Sequence, residues 1–234
     1  MLNEKDTNEL VDFIKNIPSK IEIIDNIIDE KLFYRDYIDT AEELIKPLKA
    51  IGKVYEFAKK QRFKEFLKSI SKEINENDFI DSNNVNKLKE YVSKDNNVDF
   101  IVNTIDYSIN SRSIKCSSLL GFYAGNILNK YKDIDYKDFQ IIEILKNIDD
   151  IELNIFKEFV DKTLNFDKEY YVPFEILNTH KEEEIVLMFN KFETYQMVSR
   201  PNHLTIRDIN GEPSMIKVSY IGKNLIELLN KTKI

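Results

Sequence analysis

Apolar residues recur along the first three-fifths of the chain with the three-to-four-residue spacing of amphipathic helices. Leu10, Val11 and Ile14 mark a short helix over 5–16 that stops before Pro18. Ser19 followed by Glu22 forms a capping box, opening a helix to Ile38 with Ile21, Ile24, Ile28 and Leu32 on one face. Thr40 and Glu43 repeat the capping pattern, and Pro47 either kinks that helix or starts another, because proline lacks the amide hydrogen. Strong helical periodicity runs from Leu48 to Ile74, then from Val85 to Val92 and from Val98 to Ile109. A polar stretch, Asn110 to Ser118, precedes an apolar helix over 119–131. Further helices are expected from Asp135 or Tyr136 to Ile148 and over 151–164.

Beyond that point the pattern changes. Tyr170 to Leu177 has extended or turn character around Pro173, and a helix over 181–195 places Ile185, Met188, Phe189 and Phe192 on one face. Leu204 and Ile206, then Ile216, Val218 and Tyr220, alternate with polar residues as in strands. Asn210-Gly211 between them is a hairpin signal, since both residues tolerate positive φ, and Pro213 lengthens the loop. A helix over 222–229 closes the pattern. The fold class expected is mainly α: an N-terminal helical domain, 1–134, and a C-terminal domain, 135–234, built around one β-hairpin.

The order helix, exit through Tyr195-Gln196-Met197-Val198-Ser199-Arg200, hairpin, and return through Tyr220-Ile221-Gly222 into a Leu-rich helix resembles the winged-helix superfamily. The resemblance covers 171–234, extending to 135 if the two preceding helices complete the unit. It implies that the 181–195 helix occupies the place of a recognition helix. That helix begins Lys181-Glu182-Glu183-Glu184, and residues 171–234 carry eight acidic and eight basic side chains. Phosphate contacts supply most non-specific DNA affinity, so a neutral module favours protein as the partner, with Arg200, Arg207 and Lys217 left as a local basic wing.

The net charge of −7 over 234 residues conceals an asymmetry. Residues 1–45 hold 12 acidic and 5 basic side chains, whereas 46–72 hold nine basic and two acidic ones. On a single helix, Lys49, Lys53, Lys60, Lys64 and Lys68 form one stripe roughly 28 Å long, opposite Ile51, Tyr55, Ala58, Phe66 and Ile70. The favoured reading is a solvated face balanced by the acidic start of the chain. A surface for phosphate or an acidic partner, whether nucleic acid, a partner protein or an anionic membrane, is the alternative.

Ser117, Gly121 and Gly125 recur every four residues, which lets a second helix backbone approach closely. The composition excludes several chemistries. One Cys rules out a disulfide framework or thiolate-built zinc site, and two distant His give no metal set or catalytic base beside Cys116. Five glycines, none in a phosphate-cradling pattern, weigh against nucleotide binding, so no cofactor is expected. Arg112, among Asn110, Ser111 and Ser113, is expected to anchor a buried polar network. No apolar run approaches the roughly 18–20 residues needed to span a bilayer, and the N-terminus lacks a signal-peptide pattern, so a cytoplasmic protein without membrane contact is expected. Ile, Lys and Asn number 33, 29 and 24, all from A/T-rich codons, which points to a bacterial genome or mobile element, with a phage-defence locus as one setting. The sequence thus points to a non-enzymatic protein-interaction, regulatory or accessory subunit of a prokaryotic system, working with a protein partner or a second copy. A DNA-binding winged-helix regulator and an enzyme around Arg112 are the alternatives.

Overall fold

The computed structural model describes residues 4–17, 46–74, 82–163, 171–178, 180–200 and 216–232, with the side chains of 46–56 and 174 outside that description. The expected helix from Ser19, the Thr40 cap, the Leu204–Ile206 strand and the Asn210-Gly211 turn lie outside the described residues. The architecture is mainly helical with one antiparallel hairpin, as the sequence pattern predicts. The chain divides into two compact units, Met1–Lys146 and Asn147–Ile234.

The first unit contains α1 (Glu4–Asn16), α2 (Lys46–Glu73), α3 (Ser82–Val92), α4 (Asp95–Asn110), α5 (Ile114–Lys130) and α6 (Tyr136–Asn147). Helix α2 runs unbroken for 28 residues, about 42 Å, with Pro47 in its first turn, where the missing amide costs nothing. Its buried face, Phe66, Leu67 and Ile70, packs against α5, and Ile74 is buried just past its end. The small-residue ridge of α5 makes that approach possible. A Cβ on Gly121 would overlap the Phe66 carbonyl oxygen, and one on Gly125 would lie 3.1 Å from the Ile70 oxygen. Ser117 Oγ donates to the Arg62 carbonyl, 2.8 Å away. Residues 62, 66 and 70 therefore meet 117, 121 and 125 in rising order, so the helices run parallel with four-residue ridges matched.

Helix α5 starts five residues earlier than its apolar periodicity indicates. Ser113 caps it, accepting from the Cys116 amide at 3.0 Å. At its other end Tyr131 adopts a left-handed conformation, φ 48°, while the Lys132 amide donates to the Ile127 carbonyl at 3.2 Å, closing a Schellman turn. The chain then enters α6 through Asp135, whose carboxylate caps the Lys137 and Asp138 amides. Asp138, fully buried, returns a hydrogen bond from the Asp135 amide at 2.9 Å and accepts from Tyr123 and Lys132 at 2.7 and 2.5 Å. The Phe139 ring meets Phe100 edge-on at 6.1 Å. These contacts place α6 with the first unit, one helix beyond the 134/135 boundary expected from sequence.

The second unit contains α7 (Asp150–Thr163), the short α8 (Pro173–Ile176), α9 (Glu182–Thr194), β1 (Val198–Ser199), β2 (Lys217–Val218) and α10 (Tyr220–Thr232). Val198 pairs with Val218 and Ser199 with Lys217, and Tyr171 bridges Ile216 on the far side of the same strand line. Its core is an aromatic cluster: Phe159–Phe189, Phe189–Phe192 and Phe156–Phe192 centroids lie 4.9, 5.1 and 5.3 Å apart, all edge-to-face. Each buried ring contributes about 1.5–3 kcal/mol through area alone. Ile185 and Leu225 complete the core from α9 and α10.

Candidate functional site

The same aromatic cluster fixes what α9 shows to its surroundings. With Ile185, Phe189 and Phe192 turned inward, Glu183, Glu184, Leu187, Asn190 and Thr194 are left on the opposite, exposed face. Leu187 is 71% exposed. At the start of α7, Ile151 is 65% exposed. These two apolar residues were missed by the sequence reading. The signal for Leu187 is its phase, about 200° round the helix from Ile185.

Two basic residues near this face, Lys191 and Arg200, are held by the unit's own carboxylates. Lys191 Nζ lies 2.5 and 2.6 Å from the two Glu152 oxygens, with the side chains 23% and 13% exposed. Glu152 is itself fixed by a reciprocal capping box. Its carboxylate accepts from the Asp149 amide at 2.9 Å, and Asp149 accepts from the Ile151 and Glu152 amides at 2.9 Å. Arg200 is drawn back onto α9: its Nη1 pairs with Glu193 at 3.1 Å and its Nη2 donates to Asn190 at 2.7 Å, leaving the side chain 7% exposed. Lys217 is half-buried on β2, and Arg207 lies outside the described residues.

Arg200 is positioned by the turn after α9. Gln196 has φ 57°, and the Met197 amide donates to Phe192 at 2.8 Å in a second Schellman turn. The Ser219 hydroxyl donates to the Gln196 carbonyl and accepts from the Gly222 amide at 3.0 Å, capping α10. Gly222 is required there, because a Cβ would overlap the Met197 oxygen and stand 3.0 Å from Phe156 Cζ. An open groove beside this turn is lined by Thr194, Gln196, Val198, Ser199 and Tyr220. On the other side of α7, Glu158 accepts from Lys162 at 2.7 Å and faces His180 at 3.3 Å. The Lys162 hydrogen bond, then His180, holds the Glu158 carboxyl below its ordinary value.

In the first unit, Lys60, Lys64 and Lys68 are half-buried along α2, and Lys68 is paired with Glu65 at 2.8 Å. Lys49 and Lys53 lie in the same helix, their side chains outside the described residues. Phe57, 61% exposed, occupies the helical step between Lys53 and Lys60. Arg112 is exposed rather than the anchor of a buried network. The network forms without it, because the surrounding serines bond to backbone: the single Ser117 hydroxyl hydrogen is shared between the Ser108 and Arg62 carbonyls, 2.7 and 2.8 Å from Oγ, and Ser111 Oγ donates to the Ser113 carbonyl at 2.9 Å. Cys116 is buried. Elsewhere in the unit, burial and a hydrogen bond to Glu143 push the Tyr107 hydroxyl up to about 12.

Among the described residues, no group of three His, Cys, Asp or Glu side chains is placed to hold a metal ion, and no helix is long and apolar enough to cross a membrane. Compared with family models, curated proteins and solved structures, the chain matches none.

Proposed function

We propose that this chain is a non-enzymatic accessory or regulatory subunit of a cytoplasmic bacterial system, and that it works by binding protein through the second unit. The observation that carries this reading is the pinning of Lys191 by Glu152 and of Arg200 by Glu193. Those are two of the cations that a helix-and-wing surface would otherwise offer to phosphate. What α9 presents instead is Glu183, Glu184 and Leu187. Carboxylates repel a polyanion, and an exposed leucine suits an apolar pocket on a protein. The order α7, Tyr171 bridge, α8, α9, β1, β2, α10 supports a winged-helix-like reading of the unit, used here as a protein-contact scaffold.

Co-purification of the tagged full chain with products of adjacent genes tests the reading, alongside a mobility-shift assay on duplex DNA at about 50 mM salt. A co-purifying protein and no shift are expected. A salt-dependent shift that disappears in Lys60→Glu/Lys64→Glu or Arg200→Glu/Arg207→Glu variants would establish the DNA-binding regulator in its place.

A further inference from the structure

The exposed face of α9 and the first turn of α7 share one chemical character. Leu187 stands one helical turn before Lys191, and Ile151 is the chain neighbour of Glu152. The Lys191–Glu152 ion pair joins those two positions, so both exposed apolar side chains stand within about a turn of it. Single exposed apolar side chains are ordinary on protein surfaces, but here Leu187 and Ile151 stand beside the two ends of one partly buried ion pair. One helical turn before Leu187 the exposed charges are the carboxylates of Glu183 and Glu184. Lys191, the cation of the ion pair, is neutralised by Glu152.

We propose that this patch docks a basic segment of a partner protein, one with Lys or Arg side chains flanking at least one apolar anchor. The inference rests on the protein-binding reading above and specifies the partner's chemistry. Basic side chains would meet Glu183 and Glu184, while the anchor covers Leu187 and Ile151. A second copy docked through the same face would set Glu183 and Glu184 against themselves, because a two-fold contact repeats one patch on both sides. Phosphate-rich nucleic acid and anionic lipid are disfavoured by the same carboxylates.

The test uses the full chain and fluorescently labelled amphipathic peptides of about 14 residues. One carries Leu on one face and Lys on the other, a second has Ser in place of Leu, and a third has Glu in place of Lys. Fluorescence anisotropy at roughly 50 mM salt should show binding of the Leu/Lys peptide, weakened as salt is raised. The double variants Leu187→Asp/Ile151→Ser and Glu183→Lys/Glu184→Lys should each lose at least about tenfold in affinity. The control Glu4→Lys/Asp6→Lys, an equal charge change on α1, should bind as the parent does, and circular dichroism checks that every variant remains folded. Equal binding of the Ser/Lys and Leu/Lys peptides, or affinities that no α9 variant alters, would overturn the proposal. A co-purifying gene product combined with that negative result removes only the basic-segment inference. No partner and no peptide binding removes both readings.

Discussion

Gly121 lies directly against the backbone of Phe66. A Cβ atom at Gly121 would overlap the Phe66 carbonyl oxygen, stand 2.9 Å from its carbonyl carbon, and reach 2.9 Å from Ser69 Cβ. None of those atoms is the far end of a flexible side chain, so relief requires α2 and α5 to move apart. Glycine in a helix interior is worse than alanine by about 1 kcal/mol, yet the contact reverses the sign here. Gly121→Ala should destabilise the protein by about 1–3 kcal/mol, read as a lower urea midpoint at unchanged slope. Gly125→Ala should cost less, since its nearest neighbour is Glu73 in the last residue of α2, where the helix end yields.

That contact also marks what was legible in the sequence. The four-residue spacing of Ser117, Gly121 and Gly125 announces a close helix–helix approach, and the apolar periods locate most of the helices to within a few residues. The start of α5 was not legible from apolar periodicity, because the stretch at 110–118 is polar and small and the apolar run begins only at Leu119. Its serines are consumed by a cap at Cys116 and by bonds to the Ser108 and Arg62 carbonyls, partners set by folding. The same holds for the candidate face. Arg200 reads as a wing cation, and nothing in the sequence singles out Lys191. Their carboxylate partners are decided by tertiary placement, and Glu152 is 39 residues from Lys191. Arg112 stands out by rarity alone, and rarity says nothing about burial.

Glu152 does two jobs, capping the Asp149 amide and holding Lys191. Removing Lys191 leaves a carboxylate that still has its amide donor, whereas removing Glu152 frees both an amide and a partly buried ammonium. Glu152→Ala should therefore cost about 2–3 kcal/mol and Lys191→Ala about 1 kcal/mol. A double-mutant cycle by urea unfolding should give a favourable coupling of about 1 kcal/mol. Additive losses would show that the ion pair contributes nothing beyond its separate ends.

Glu158 gives the second unit a pH signature. Its folded-state pKa is lowered from the ordinary 4.5, first by Lys162 and then by His180. A carboxyl with a depressed folded pKa contributes stability that is present above its unfolded pKa and lost as pH falls through the folded value. Glu158→Gln should accordingly be less stable than the parent at neutral pH. The difference should shrink as pH drops through and below 4.5, disappearing once the parent carboxyl is protonated. Paired denaturation curves from pH 7 down to about 3 measure it. A stability gap that stays constant across that range would assign the effect to packing rather than to charge.

Arg200 joins the turn after α9 back to the helix through two different nitrogens, one to Glu193 and one to Asn190. Lysine cannot reproduce that geometry, because one ammonium replaces a planar fork with two separated donors. With the side chain 7% exposed, any group left there without its partners pays desolvation without return. Arg200→Lys should lower stability by about 1–2 kcal/mol and Arg200→Ala by about 2–4 kcal/mol, both read as falls in Tm. Glu193→Gln should lie between the parent and Arg200→Ala, since an amide oxygen still accepts from Nη1 while the ion pair is lost. If Arg200 were instead a solvated wing cation, Arg200→Lys would be silent in stability and its effect would emerge only in polyanion binding. The two measurements on one variant therefore separate a cation that fastens the turn from one that reaches outward.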